Sequence, residues 1–169
     1  MQDVEGKSWL NLLLYNKQVD ASTNMTKISS SILIDAPPSK VKEIFFDFES
    51  YPSWNSFVTS IKGNSQEVGS ILEVEILPPG SSKQQFKPKI VENSDTKFGW
   101  VGVLGLEYIF KGYHQYEFIS VENGTRTKLV QSEDFSGFLS APLLYLVKDS
   151  TLRGFENLND DLKKKVEGS

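Results

Sequence analysis

Between residues 57 and 137 the hydrophobic positions recur at every second residue, and from residue 140 they recur at every third or fourth. The first period belongs to half-buried strands, the second to an amphipathic helix. FVTSIKG at 57–63, SILEVEIL at 70–77, QQFKPKIVEN at 84–93, TKFGWVGVLG at 96–105, YIFKGYHQYEFISV at 108–121 and TRTKLVQSEDFSG at 125–137 are the predicted strands. In the second of them Leu72, Val74 and Ile76 share one face, against Glu73 and Glu75 on the other. Pro78-Pro79-Gly80 cannot sit inside a ladder, and Asn93-Ser94-Asp95 and Asn123-Gly124 are turn signals. Asn-Gly is the strongest short hairpin signal, so the sheet is expected to be antiparallel and meandering.

Upstream, KISSSILI at 27–34 predicts one more strand, broken by Ala36-Pro37-Pro38-Ser39. Pro38 suits the first turn of a helix. Val41, Ile44, Phe45 and Phe48 then follow at helical spacing, and Pro52 is expected to end that helix. PSWNSF at 52–57 predicts a second short helix or turn, with Trp54 and Phe57 facing inward. Downstream, Leu144, Val147, Thr151, Phe155, Leu158, Leu162 and Val166 predict a single helix of about two dozen residues, roughly 35 Å long. Gly154 falls in its middle, where it costs about 1 kcal/mol against alanine, so a sheet residue or a ligand should pack close to it. The predicted class is α+β: a strand, two short helices, about six further strands, one long helix.

The polar stretch at 16–26 divides the chain into an N-terminal extension, residues 1–24, and a domain over residues 25–169. The extension carries a dense apolar run, WLNLLLY at 9–15, which either docks on the domain as a short amphipathic helix or stays disordered. It is too short to span a bilayer. Asp3 and Glu5 precede it, unlike the basic start of a signal or transit sequence.

A curved sheet has one concave face, and the long helix is the element expected to lie across it. The alternation assigns to that face Phe86, Pro88 and Ile90; then Phe98, Trp100, Gly102 and Leu104; then Tyr108, Phe110, His114, Tyr116 and Phe118; then Leu129, Gln131, Glu133 and Phe135. Tyrosine hydroxyls, an imidazole, an amide and a carboxyl stand among the rings. A closed dry core rarely includes so many polar tips, each of which needs a partner when buried. A mostly apolar, partly wet cavity accommodates them.

Composition narrows the chemistry. The 169 residues suit one domain and include 11 Phe, 6 Tyr and 3 Trp. The net charge of −4 offers no basic face for nucleic acid. The Lys163-Lys164-Lys165 triplet follows Asp160 and Asp161 and suits the last turn of a helix. There are no cysteines, which removes disulfides, thiolate metal sites and cysteine nucleophiles and fits a cytoplasmic protein. With one histidine and no EF-hand spacing, no metal site is expected, and no cofactor. Ser136-Gly137 lacks the Gly-x-Ser-x-Gly frame of a nucleophile elbow. Gly99, Gly102 and Gly105 have the wrong spacing for a phosphate loop and lie in a strand.

APPSKV, SYPSWN, the Trp100 strand, GYHQYEF, the EDFSG run and GFENLNDDLKK occur in an order that resembles the polyketide cyclase/dehydrase-type branch of the START-like, or SRPBCC, superfamily, over about residues 27–167. The resemblance implies the helix-grip fold: a curved seven-stranded antiparallel sheet wrapped around a C-terminal helix and enclosing a hydrophobic cavity. The superfamily includes lipid carriers, hormone-binding proteins, aromatase/cyclases and chaperone co-activators, and a fold alone does not choose among them.

His114 and Glu133 are expected on neighbouring strands, both inward. The pair either serves as general acid and base in a cyclisation or dehydration, or satisfies its own polar groups inside the core. Residues 51–55 either gate the cavity or form a helix–strand corner stapled by Trp54. Phe138, Leu139, Leu143 and Leu144 either line the opposite lip or dock the helix. The expected function is binding or transport of a lipid, sterol, isoprenoid or polyketide-like molecule, with transient membrane contact allowed. The expected ligand-binding residues are Trp54, Phe86, Phe98, Trp100, Tyr108, Phe110, His114, Tyr116, Phe118, Gln131, Glu133, Phe135 and Phe155. The alternatives are a cyclase/aromatase or dehydratase using His114 and Glu133, and an interaction module of the chaperone co-activator type.

Overall fold

The computed structural model describes residues 26–63, 66–103 and 110–169. The N-terminal extension, Leu104, Gly105 and Tyr108 lie outside the described residues. Strand β1 (Thr26–Ile34) leads into helix α1 (Pro38–Phe46) and a 3₁₀ segment, Phe48–Ser53. Strands β2 (Val58–Lys62), β3 (Glu73–Ile76), β4 (Gln84–Phe86), β5 (Lys89–Asn93), β6 (Lys97–Val103), β7 (Lys111–Val121) and β8 (Arg126–Ser136) follow, and helix α2 (Ser140–Glu167) closes the chain. All the strand pairs are antiparallel.

The expected single seven-stranded sheet is instead two sheets among the described residues, one of five strands in the order β1-β8-β7-β6-β5 and one of three, β2-β3-β4. The cause lies at Pro88. The predicted strand at 84–93 carries a proline, which has no N–H to donate, and the ladder breaks there into β4 and β5. The two sheets stay joined at the break: the Leu72 N–H donates to the Pro88 carbonyl at 2.9 Å and the Ile90 N–H to the Ser70 carbonyl at 2.8 Å. The proline thus becomes the bend of the curved surface.

The first helix also differs from expectation. It ends at Phe46, and Phe48–Ser53 continues as a 3₁₀ segment with Pro52 inside it. The Tyr51 hydroxyl, donating to the Phe45 carbonyl at 2.9 Å, holds this tighter turn against α1. Phe45 is buried at the centre of an aromatic cluster with Phe98, Tyr116 and Phe118, its ring centroid 5.8, 4.7 and 5.1 Å from theirs.

The turn from β8 into α2 passes through Gly137 at φ +106°, a conformation that side chains rarely adopt. Along α2 the burial is uneven. Phe155, Leu158, Leu162 and Val166 are fully buried against the sheet, whereas Tyr145, Leu146 and Val147 are exposed. The C-terminal half of the helix is therefore held by the core, and its N-terminal half runs along the edge of a cavity. Among the described residues no helix is long and apolar enough to cross a membrane.

Candidate functional site

The space between the sheets and α2 is a cavity of about 690 Å³. This is within the range of small-molecule pockets, roughly 300–1,000 Å³. One wall comes from β6, β7 and β8, through Trp100, Gly102, His114, Tyr116, Glu133 and Phe135. Antiparallel pairing places these side chains on one face, because His114 pairs with both Trp100 and Glu133, and Gly112 pairs with Phe135. The opposite wall comes from Phe57, Val58, Ile76 and Phe86 of the smaller sheet and its approach. Helix α2 closes one side through Val147, Thr151 and Phe155, and the loop at 78–81 borders the mouth.

On the sheet wall polar chemistry gathers at His114, Tyr116 and Glu133, while Gln84, Gln85, Ser150, Thr151 and Arg153 border the cavity on its other sides. The His114 ring stacks on Tyr116 at 4.7 Å between centroids and lies 4.7 Å from Phe155 and 5.5 Å from Trp100. Enclosed by rings, the imidazole is drawn down to a pKa of about 3 by burial, so it is neutral at physiological pH. The Gln131 amide nitrogen donates to His114 Nε2 at 2.9 Å and to the Tyr116 hydroxyl at 3.4 Å. With Nε2 accepting, the ring proton sits on Nδ1, which faces Glu133 Oε2 across 3.7 Å.

Glu133 is pushed up to about 8, first by burial and then by the nearby Asp134 carboxylate. The ion pair that the 3.7 Å distance suggests therefore does not form at neutral pH. The histidine is uncharged and the carboxyl carries its proton. Glu133 keeps 19% of its side chain open. The adjacent Gly112 makes room for the carboxyl: a Cβ there would lie 2.4 Å from Glu133 Oε1. The polar end of the cavity is thus a set of neutral hydrogen-bonding groups, one of them a carboxylic acid.

Of the residues singled out by alternation, Phe86, Trp100, Phe110, His114, Tyr116, Glu133, Phe135 and Phe155 border the cavity together. Phe98 and Phe118 do not. They point to the same side of the sheet but pack under α1, with Phe98 5.2 Å from Phe46 and Phe118 5.1 Å from Phe45. Gln131 is fully buried behind His114 and acts on the cavity through that ring and the Tyr116 hydroxyl. Trp54 packs against Tyr51 in a tilted arrangement, 4.6 Å between centroids, and donates its indole N–H to Ser50 Oγ at 2.9 Å. Residues 51–55 therefore form the stapled corner and do not border the cavity. Tyr108 lies outside the described residues.

Phe57, Val58, Ile76, Pro78, Pro79, Gly112 and Val147 also border the site. Sequence pattern marked Phe57 and Ile76 as inward and Val147 as core-facing. Nothing local separates a residue facing a cavity from one facing a filled core. Asn55 explains how the corner aims Phe57: its Oδ1 accepts from the backbone N–H groups of Phe57 and Val58 at 3.0 and 2.6 Å. A second concavity of about 430 Å³ lies on the smaller sheet, but its walls carry paired charges, including Lys87–Glu73 at 2.6 Å.

The sequence profile of the polyketide cyclase / dehydrase and lipid transport family matches residues 25–167. No curated protein matches the chain in sequence. Solved structures with the same fold include the Zhui aromatase/cyclase from Streptomyces sp. R1128, with a TM-score of 0.69 at 11% identity, covering 85% of this chain and 94% of that one. A START superfamily protein from Mycobacterium smegmatis has a TM-score of 0.67 at 19% identity, covering 84% and 97%. Truncated norcoclaurine synthase from Thalictrum flavum has a TM-score of 0.65 at 13% identity, covering 87% and 96%. At these identities the likeness is one of fold.

Proposed function

The chain belongs to the polyketide cyclase / dehydrase and lipid transport family, and within it we propose that this protein binds a hydrophobic small molecule carrying one uncharged polar end. The observation that supports this reading is the cavity of about 690 Å³ whose aromatic sheet wall carries a neutral polar cluster at His114, Tyr116 and Glu133. Burial of about 300 Å² of apolar ligand surface contributes roughly 7 kcal/mol before the costs of association. The polar cluster then sets orientation. The protonated Glu133 carboxyl donates to a ligand carbonyl or hydroxyl oxygen, and the Tyr116 hydroxyl lies beside it. Beside Glu133 a ligand carboxylate is disfavoured, because that end of the cavity already keeps a carboxyl from ionising.

A second reading, cyclisation or dehydration of a polyketide-like substrate, is favoured by one specific observation. A carboxylic acid held protonated at neutral pH inside an apolar cavity has the protonation state of a general acid. Its weakness is the base. An imidazole drawn down to about 3 takes up a proton poorly at neutral pH.

The test is equilibrium titration with a neutral fluorescent fatty alcohol and its matching fatty acid, read through Trp100. The alcohol is expected to bind with a shift in tryptophan emission, and the acid more weakly at pH 7.5. Equal, weak response to both, no greater than that of a protein with a filled core, would remove the cavity reading.

A further inference from the structure

We propose that Arg153 holds an anionic end of the ligand at the mouth of the cavity, so that the protein selects an amphiphile with a carboxylate at one terminus and a hydroxyl or carbonyl oxygen at the other, the neutral end being received at Glu133. This inference rests on the hydrophobic-ligand reading above and assigns the ligand's second end. The lining of the cavity divides by exposure. Phe57, Trp100, His114, Tyr116 and Phe155 are buried, whereas Ser81, Gln84, Leu146 and Arg153 are exposed and mark the mouth. Among the described residues Arg153 is the only lysine or arginine that borders the cavity. Leu146, Ser150 and Arg153 step by four and then three along α2, so they share one stripe of the helix. Phe155, whose ring meets His114, follows Arg153 by two residues, roughly 200° around the helix. The guanidinium therefore leaves the helix on the flank away from the imidazole.

The arginine is uncommitted. Asp149 stands four residues before it and Glu156 three after it, the spacings at which helical side chains pair, yet among the described residues Arg153 joins no ion pair. The chain's other arginine, Arg126, binds both Asp35 and Glu122. A guanidinium presents a planar fork of donors that matches a carboxylate through two parallel hydrogen bonds. At the exposed mouth such a carboxylate keeps part of its water, so the desolvation that disfavours a charge beside Glu133 is small there. Other donors at the mouth are engaged. The Ser150 hydroxyl donates to the Val147 carbonyl at 2.9 Å, and Gln85 Nε2 donates to Glu75 Oε2 at 3.0 Å. One cation matches one negative charge, which favours a carboxylate over a phosphate monoester with nearly two. A fatty acid without a hydroxyl gains only this exposed contact and leaves the Glu133 carboxyl without a ligand oxygen, so the neutral alcohol remains the stronger ligand of that pair.

The test compares two probes that differ only in the charge at one end. An ω-hydroxy fatty acid and its primary amide, over a series of chain lengths, are titrated into the full chain by calorimetry. The quantity read is the ratio of their dissociation constants, so a general loss of affinity in a variant cancels. In the parent protein the acid is expected to bind about three- to fivefold more tightly than the amide, the upper range for an exposed ion pair. The advantage should shrink in high salt. It should vanish in Arg153→Gln and survive in part in Arg153→Lys, which keeps the charge without the fork. Equal affinities in the parent, or an advantage that persists in Arg153→Gln, would overturn the proposal and leave the hydrophobic-ligand reading standing, since the amide still binds. An ω-hydroxyalkyl phosphate with a larger Arg153-dependent advantage than the carboxylate would overturn the choice of anion. Failure of both probes to bind at any length would remove the hydrophobic-ligand reading, and this inference with it.

Discussion

His114 Nδ1 and Glu133 Oε2 lie 3.7 Å apart on adjacent strands, yet both groups are uncharged at neutral pH. Burial shifts them in opposite directions, the imidazole down and the carboxyl up, because in each case the low-dielectric surroundings disfavour the charged form. A pair that would be a salt bridge on a surface is here a neutral donor–acceptor cluster.

That arrangement predicts a particular pH dependence of stability. His114 falls from its ordinary 6.5 to about 3, so its contribution is complete above pH 6.5 and is lost as pH falls towards 3. Glu133 rises from 4.5 to about 8, so its contribution is complete below pH 4.5 and is lost as pH rises through 8. Between 4.5 and 6.5 the two slopes oppose each other, which predicts a plateau there. Above 6.5 stability should decline by up to about 1.4 kcal/mol per pH unit until the carboxyl ionises. Urea unfolding from pH 4 to 8.5 checks this. Glu133→Gln should abolish the alkaline decline. His114→Gln should replace the plateau with a decline that begins near pH 4.5. Parallel curves for all three proteins would mean that neither group is shifted as described.

Gly154 predicts a conflict between helix propensity and packing. A Cβ at this position would lie 2.3–2.8 Å from the Phe57 ring, and Phe57 also borders the cavity. In Gly154→Ala the helix gains about 1 kcal/mol of propensity, against about 1–3 kcal/mol for overpacking. The ring is expected to move into the cavity. Unfolding should show a net loss of up to about 2 kcal/mol, and a bulky apolar probe should bind more weakly. A variant stabilised by the full propensity gain, with unchanged probe binding, would show that Phe57 yields without cost.

Gly112 predicts a change at a group on the neighbouring strand. In Gly112→Ala the Glu133 carboxyl must leave its place, since a Cβ would meet Oε1 at 2.4 Å. Turned towards the open cavity, it should regain water and titrate well below 8. Carbon-detected NMR of the glutamate carboxyls, with Glu133 assigned through Glu133→Gln, reads this directly. An unchanged titration would mean that the burial of Glu133 does not depend on the space at Gly112.

Strand alternation and the three-four step of α2 carried most of the fold, since both periods follow directly from which side chains are buried. The break at Pro88 was written in the sequence too, but its consequence, two sheets meeting at a bend, depends on the neighbouring segment at residues 69–72, which no local pattern specifies. Inward direction correctly grouped Trp100, His114, Tyr116 and Glu133. It also swept in Phe98 and Phe118, because alternation says which face a residue occupies and not whether α1 or empty space lies opposite. Trp54 was chosen for its size, and its indole N–H instead found Ser50 in the corner. Gly112 carried no signal of its role, because a glycine's importance here lies in a carboxyl on the next strand.

The remaining prediction separates binding from catalysis. Glu133→Gln keeps a donor of similar size and removes the transferable proton, and His114→Gln removes the imidazole while leaving an amide beside Gln131. If the cluster only orients a neutral ligand, each change should cost about 0.5–1.5 kcal/mol of affinity, or up to about 3 where a buried partner is left unpaired. Neither protein nor variant should then turn over a polyketide-like substrate. If Glu133 delivers a proton in the reaction, Glu133→Gln should lower the rate about 10²–10⁴-fold with binding nearly intact. The rate in the parent protein should then fall as pH rises through 8, where the acid ionises. We expect the modest affinity loss without turnover. The binding reading fails if turnover is found that Glu133→Gln abolishes and that follows this pH profile.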